Sequence, residues 1–488
     1  MQSEREIRSV AVVGGGIVGL SAAIAFARAL PKARVEVVAT APDPAALADL
    51  MPGTLPTVNR FHAAIGLDEL ELVRAGIATH RLGTRFERWS ADGTPWLHVF
   101  GEYGFAIGAV GFHDLWPQVR SETLPYHAYS PAAVLAEAGR FVHPEERTGS
   151  PLSTYIYGLA LDPDSYRERL LAQTATHAIA AAPGEPAGVE RRADGGVAAL
   201  LLGDGRRVEA DLYLDCAGPG GALISQVDER FEDWSDWLPC DRMSVRPEPG
   251  ERPVPADTVI ALEDGWRWSS SAGGGRMTGR LTASAFAPGG GDGVKLRPGR
   301  RPEPWVRNVL ALGDAATAVD PLEWTNLHLA HNAILRALEL LPGRDCHPLE
   351  LAEYNRRTAQ ETLRVRDFLA LHYLRSGRRE GALWQALAGR APPDSLAHTL
   401  EQFEARGRLP FYEEESFEKE SWNAVLLGMG VVPRVLAASA LGLDLDEVAR
   451  AMRDYAARLA DLAARLPAYR DYLERMRSVP AGSSLRGG

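Results

Sequence analysis

A chain of 488 residues, 45% hydrophobic and 24% charged, is long enough for two domains of ordinary size and has the balance of a folded globular protein. Its formal charge of −11 argues against a nucleic-acid or anionic-membrane surface, which would need clustered Lys and Arg. No apolar run approaches the roughly 20 residues of a membrane span. Three cysteines, Cys216, Cys240 and Cys346, lack CxxC or Cys/His spacing, so neither a disulfide framework nor a zinc site is expected. With no leader pattern before the first strand, a cytoplasmic protein is the expectation.

The first 40 residues read as a βαβ unit: an apolar strand at 10–13, a glycine turn, a helix over 17–29 and a second strand at 35–38. Helical patterning follows over 57–75, then 84–89 and 96–100 alternate like paired strands. An amphipathic helix is predicted over 162–180. The strands 197–202 and 207–214 form a hairpin closing on Gly203-Asp204-Gly205, and a buried strand, 212–216, ends in a glycine cluster. Residues 258–282 alternate like sheet, and 287–301 form a Gly/Pro-rich loop. One more buried strand, 308–312, leads into a helix starting near Glu323. Beyond about 348 the chain turns to long helices, clearest at 353–374, 394–405 and 444–476. The division expected is a discontinuous core over 1–345, a helical region over 346–479 and a disordered tail over 480–488.

Gly14-Gly15-Gly16-Ile17-Val18-Gly19 stands between strand and helix, the context a dinucleotide fingerprint demands. Gly14 permits the tight turn, Gly16 the approach of a pyrophosphate, and Gly19 close packing of helix on strand. The helix N-terminus then turns its unpaired N–H groups toward the phosphates. The acid expected to bind ribose at the end of the second strand is replaced by Ala39, which leaves that contact to Thr40 or Asp43, or weak. Two later segments, Asp211 to Gly218 and Val309 to Ala316, resemble the late strands of FAD monooxygenases. Gly313 there would meet the cofactor, and Asp314 would hold the ribityl chain or pyrophosphate. FAD is therefore the expected cofactor.

A set of further segments narrows the resemblance. Gly53-Thr54-Leu55-Pro56 with Phe61-His62, Ala78 to Phe86, His98 to Gly101, Pro239 to Arg242, Gly265-Trp266-Arg267-Trp268, Asp320-Pro321-Leu322-Glu323 and Arg366-Asp367-Phe368 together resemble the flavin-dependent tryptophan halogenases over nearly the whole chain. The resemblance implies an α/β fold with a GR2-type, Rossmann-like FAD core, a mixed-sheet substrate region and a C-terminal helical region. It also implies FADH2 from a separate reductase, O2, and chloride or bromide. In that family reduced FAD and oxygen form a hydroperoxide, a halide attacks it, and hypohalous acid passes through a tunnel to a lysine beside an aromatic substrate. Glu323 matches the glutamate that orients the oxidant or accepts the ring proton. The lysine position reads Arg81.

Lys32, Lys295 and Lys419 are the only lysines among 53 basic residues, so arginine is this chain's ordinary cation. With reference pKa values of about 10.4 and 13.8, arginine's neutral fraction at pH 7 is smaller than lysine's by roughly three powers of ten, on the order of 4.6 kcal/mol. An N–halogen bond is correspondingly disfavoured. A guanidinium can still hold hypohalous acid, a peroxide oxygen or a carboxylate as a fork of donors, or serve in a structural ion pair.

Other departures from the family pattern point the same way. Ser269-Ser270-Ser271 follows Trp268 where the family continues toward Ile-Pro, and Pro52 replaces an acid before Gly53-Thr54. Thr325-Asn326 stands where a Thr-Gly halide pocket is usual; asparagine tolerates left-handed backbone better than most residues. Trp324, Trp266, Trp268 and His98 are the candidates to line an aromatic pocket, each weighed against plain core packing. His62, His98, His328 and His331 are candidate bases, and no metal is expected at His328 and His331, which lack a carboxylate at ligand spacing. The reading that follows is an FAD-dependent oxidation of an indole or other aromatic group, oxygenation before halogenation. A silent flavin-binding partner protein is the non-enzymatic alternative, and a homodimer is left open.

Overall fold

The computed structural model describes residues 6–147, 149–248, 253–435, 440 and 442–478. The expected tail over 480–488 lies outside them. The chain divides into two compact units, one of Met1–Asp68, Leu161–Arg242 and Gly293–Arg366, the other of Glu69–Ala160, Met243–Asp292 and Asp367–Gly488. The sequence places its boundary near 345, where helices become long. Packing divides the chain differently, because segments from all parts of the sequence share each core, and the last break falls inside the helix Pro348–Leu374.

The first unit is built on a six-stranded sheet in the order Trp305–Val306, Val309–Ala311, Leu212–Asp215, Ser9–Val13, Arg34–Ala39, Ala180–Pro183. All neighbours run parallel except the first pair. Val13 pairs with both Val38 and Asp215, and Asp215 with Ala311, so the carboxyl ends of four strands form one edge. In open parallel sheets that edge is where ligands bind. Strands buried on both faces read as near-continuous apolar runs, which is why they are visible in the sequence.

Glycine makes the first turn possible. Gly14 has φ 137, and a Cβ there would collide with the Cys216 carbonyl. A Cβ at Gly19 would strike the Gly14 carbonyl, so the helix Ile17–Ala29 packs on its strand at backbone distance. The expected 162–180 helix is Pro163–Thr176, with Pro163 in the first turn and the Asp162 carboxylate accepting the Ser165 N–H.

The second unit carries a sheet in the order Arg242–Glu248, Gly275–Thr282, Gly265–Ala272, Asp257–Leu262, Gly83–Glu87, Trp96–Val99. Asp257–Leu262 runs parallel to Gly83–Glu87, and its other neighbour is antiparallel. The sheet is therefore mixed. Helices follow, among them Asp394–Arg406, Lys419–Gly428 and Leu445–Arg465. Val448, Met452, Ala456, Leu459 and Ala463 supply the buried stripe of the last. The single helix expected over 444–476 is two, Leu445–Arg465 and Tyr469–Ser478. Pro467 lacks the N–H and drives Leu466 to an extended ψ of 153. Likewise the helical stretch 57–75 is split, into Val58–Ile65 and Glu69–Arg74, by Gly66 in left-handed geometry at φ 75.

Among the described residues, no helix is long and apolar enough to cross a membrane. The three cysteines are buried and form no disulfide.

Candidate active site

Gly14, Gly16 and Gly19 stand at the carboxyl edge of the parallel sheet, at the start of the helix Ile17–Ala29. Ala39 closes the second strand, as expected. The carboxylate of Asp49 lies against this helix start: its Oδ1 accepts the Val18 N–H at 2.8 Å, and a Cβ at Gly16 would collide with it. Burial pushes the Asp49 carboxyl up to about 6, against the pull of the Val18 and Ile17 N–H groups. This is an anion seat, and a side-chain anion sits in it. Asp43 spends one oxygen on its own turn, accepting Ala45 N–H at 2.7 Å.

Gly313 has φ 59 and begins the turn Gly313–Ala315 after the strand Val309–Ala311. Asp314 beside it accepts the Ala48 N–H through Oδ2 at 2.8 Å, while its buried Oδ1 has no hydrogen-bond partner. Desolvation raises this carboxyl to about 7. A buried acceptor without a donor is costly unless a ligand supplies one. A ribityl hydroxyl would do so, and the two glycine close approaches leave backbone N–H groups at the helix start for a diphosphate. These residues fit FAD, with Asp49 as the group that must yield.

Among the described residues, Glu323 and Trp324 are the one pair of consecutive non-glycine residues with left-handed backbone. Both are left-handed, at φ 61 and φ 60, although neither is glycine, and both are 1% exposed. Such consecutive strained residues persist only where their surroundings over-determine them. Here the Trp324 N–H is held by the Pro321 carbonyl at 3.0 Å. Its indole covers Gly53, where any Cβ would run into the ring. Gly53 and Thr54 thus lie against the Glu323 segment, and Thr54 is buried.

Thr325 opens the helix Thr325–Glu339, and its buried hydroxyl has no hydrogen-bond partner. Asn326 donates through Nδ2 to the Val319 carbonyl at 2.7 Å and leaves Oδ1 without one. Of the two expected halide residues, Thr325 offers a donor at the positive helix end, whereas Asn326 presents an acceptor oxygen that repels an anion. Further along, His328 is tied to Thr57 at 2.8 Å and lies 3.6 Å from Glu361, which also pairs with Arg336 at 2.9 Å. His331 stacks on Phe61 at 3.7 Å.

Arg81 ends the strand Ala78–Arg81 in the second unit and is 1% exposed. Its Nε donates to Asp257 Oδ2 and its Nη2 to Thr84 Oγ1 at 2.7 Å, with the guanidinium 5.0 Å from the Phe100 ring centroid. Register explains the meeting. Asp257 pairs with Thr84, and Thr84 with His98, so the three occupy one row across the sheet. No sequence motif announced Asp257, which lies 176 residues from Arg81. His98 is fully buried among Phe100, Phe368 and Phe417.

The two strand tryptophans differ. Trp266 belongs to a closed cluster, its N–H donated to the Tyr373 hydroxyl at 2.7 Å and its ring 6.3 Å from Trp89. Trp268 lies over Gly279 and borders an open cavity of about 650 Å³ on the sheet, which Arg246, Arg267, Arg276 and Arg280 share with Glu248 and Asp264. None of Glu323, Arg81, Thr325 or Asn326 lines that cavity.

The family model for tryptophan halogenase matches residues 9–443. The chain belongs to the tryptophan halogenase family. It is 33% identical to the solved flavin-dependent halogenase of a Brevundimonas species, with a TM-score of 0.89 over 96% of this chain and 99% of that one. A flavin-dependent halogenase from Xanthomonas campestris is 30% identical, with a TM-score of 0.87 over 98% and 100%. The 7-chloro-L-tryptophan 6-halogenase of a Kutzneria species is 26% identical over 96% of this chain and 99% of its own length. This family member is accordingly a flavin-dependent oxidoreductase, and the flavin-dependent halogenases of its family use FADH2 from a separate reductase, O2 and a halide.

Proposed function

We propose that the protein is a flavin-dependent halogenase of an indole or another electron-rich aromatic substrate, with Glu323 and Arg81 as the residues that act on the halogenating species and the ring. The observation that carries this reading is the strained, buried Glu323–Trp324 pair, placed beside Gly53-Thr54 in a chain whose similar proteins are halogenases. The oxygenation expected from Arg81 gives way to this alternative, because similarity over nearly the full length outweighs one changed side chain.

When bound, reduced FAD supplies with O2 the two-electron oxidation that makes the halide electrophilic. Thr325 Oγ1 and the N-terminal N–H groups of its helix present donors to a halide. Asp257 and Thr84 fix the Arg81 guanidinium, so it acts as an oriented donor to hypohalous oxygen rather than as a carrier of covalent halogen. Glu323, held by its backbone, accepts the proton that the ring releases on substitution. The reaction belongs in the cytoplasm, consistent with three unbridged cysteines.

Incubation with FAD, a flavin reductase, NADH, bromide and a panel of indoles and phenols tests the proposal. Products carrying the bromine isotope doublet are expected. A mass gain of one oxygen would restore oxygenation, and peroxide release with every substrate unchanged would leave a flavin-binding protein without turnover.

A further inference from the structure

We propose that Glu69, His80 and His143 form a zinc-binding site in the second unit, outside the residues assigned to halogenation. One ligand atom from each lies within 4.8 Å of the others. Glu69 Oε1 stands 3.3 Å from His80 Nε2 and 3.3 Å from His143 Nε2. Two donors bound tetrahedrally to zinc at about 2.0–2.1 Å are separated by roughly 3.3–3.4 Å. Both separations from Glu69 match that spacing, and the two imidazole nitrogens lie within 4.8 Å of each other.

The tautomers agree. The Tyr469 hydroxyl oxygen accepts the His80 backbone N–H at 2.5 Å and lies 3.1 Å from His80 Nδ1. That hydroxyl is hydrogen-bonded to Thr79, whose own hydroxyl donates to the Ser271 carbonyl at 2.5 Å. With its hydrogen directed along this chain, the Tyr469 oxygen faces His80 as an acceptor, so Nδ1 carries the proton and Nε2 the lone pair. His80 Nε2 is fully buried and makes no hydrogen bond, despite the carboxylate 3.3 Å away. A lone pair facing a carboxylate is repulsive unless a cation lies between them.

His143 shares the tyrosine contact. Its Nδ1 meets the Tyr472 hydroxyl, which also takes the His143 backbone N–H, and its Nε2 lies at hydrogen-bond distance from Glu69 Oε1, 3.3 Å. Metal-bound imidazoles characteristically hold their second nitrogen in this way. Tyr157 donates to Glu69 at 3.0 Å and orients the carboxylate, and Phe141 stacks on the His80 ring at 4.1 Å. His143 and Glu69 are 34% and 19% exposed, which gives the ion access and leaves a fourth position for water.

The ion would join the helix Glu69–Arg74 and the segment at His143 to the strand Ala78–Arg81, one residue before Arg81. The site stands independently of the halogenase reading, because its test is metal binding. Tag-free protein, stripped with a chelator and dialysed, is titrated with Co2+ and then Zn2+. One equivalent of Co2+ should give visible d–d absorption, bleached by Zn2+, with one zinc by elemental analysis and a higher Tm for the loaded protein. His143→Gln and Glu69→Gln should abolish the band at unchanged far-UV circular dichroism, and Tyr472→Phe should weaken affinity about 10-fold. Absence of saturable uptake by the parent protein, or uptake that survives His143→Gln, overturns the site.

Discussion

Glu323 and Arg81 are equally buried, yet the molecule holds them by opposite means. Glu323 is set by its main chain: left-handed geometry, a helix starting two residues later, and Trp324 packed on Gly53. Arg81 is set by its side chain, through Asp257 and Thr84 on a rigid sheet row. In Glu323 the left-handed turn itself fixes where the carboxylate is carried. A side-chain-held cation gives up mobility and chemistry for orientation, which suits an arginine that cannot offer a neutral nitrogen.

Removing the charge from Glu323 gives the largest effect. Glu323→Gln keeps the shape and should lower kcat for halogenation by about 10²–10⁴ with little change in Tm, measured by product formation under saturating flavin. A variant that retains near-parental turnover would deny Glu323 its role. At the other residue the break is in stability. Asp257→Ala strands a buried guanidinium and should cost about 3–5 kcal/mol in denaturant unfolding. The double variant Asp257→Ala with Arg81→Met should recover much of it, since an apolar replacement of both partners removes the unpaired charge. If the single and double variants unfold alike, the pair is not what fixes Arg81.

The contrast also shows what a sequence can disclose. The βαβ start, the buried strand before Gly313 and the helix after Glu323 were legible because period and glycine placement are local properties. Asp257 was not legible. It is one acid among many, and only strand register brings it to Thr84 and hence to Arg81. The cluster of Glu69, His80 and His143 was hidden for the same reason, its members being 11 and 63 residues apart with no metal-ligand spacing. Asp49 at the fingerprint helix was unforeseen too, since the GxGxxG pattern describes the seat and not the loop that closes over it. Trp266 and Trp268, two residues apart on a strand, looked equivalent. Only packing separates the closed cluster from the cavity edge.

Gly53→Ala sharpens the backbone side of the comparison. Its methyl would press into the Trp324 ring, and overpacking of this kind costs about 1–3 kcal/mol. Because Trp324 and Glu323 share the strained turn, the variant should lose turnover beyond what its lower Tm explains at the assay temperature. Activity that tracks Tm alone would separate Gly53 from the geometry of Glu323.

The smallest effect concerns the anion seat. Asp49 and Asp314 are raised to about 6 and about 7 from an ordinary 3.8, so both bind protons more tightly folded than unfolded. Their contribution to stability is present in full below about pH 3.8 and is lost as pH rises through 6 and 7. The flavin-free protein should therefore show a Tm that falls across this window, and Asp49→Asn should flatten the lower half of the fall. An incoming diphosphate must displace the ionised Asp49 from the Val18 N–H, whereas the neutral amide resists less. FAD should bind Asp49→Asn about tenfold tighter at pH 7.5, close to 1.4 kcal/mol, with the gain shrinking toward pH 5.5, as read by flavin fluorescence quenching. Weaker binding by the asparagine variant would mean that the carboxylate holds the cofactor instead of standing in its place, and would give this chain the acid that Ala39 lacks.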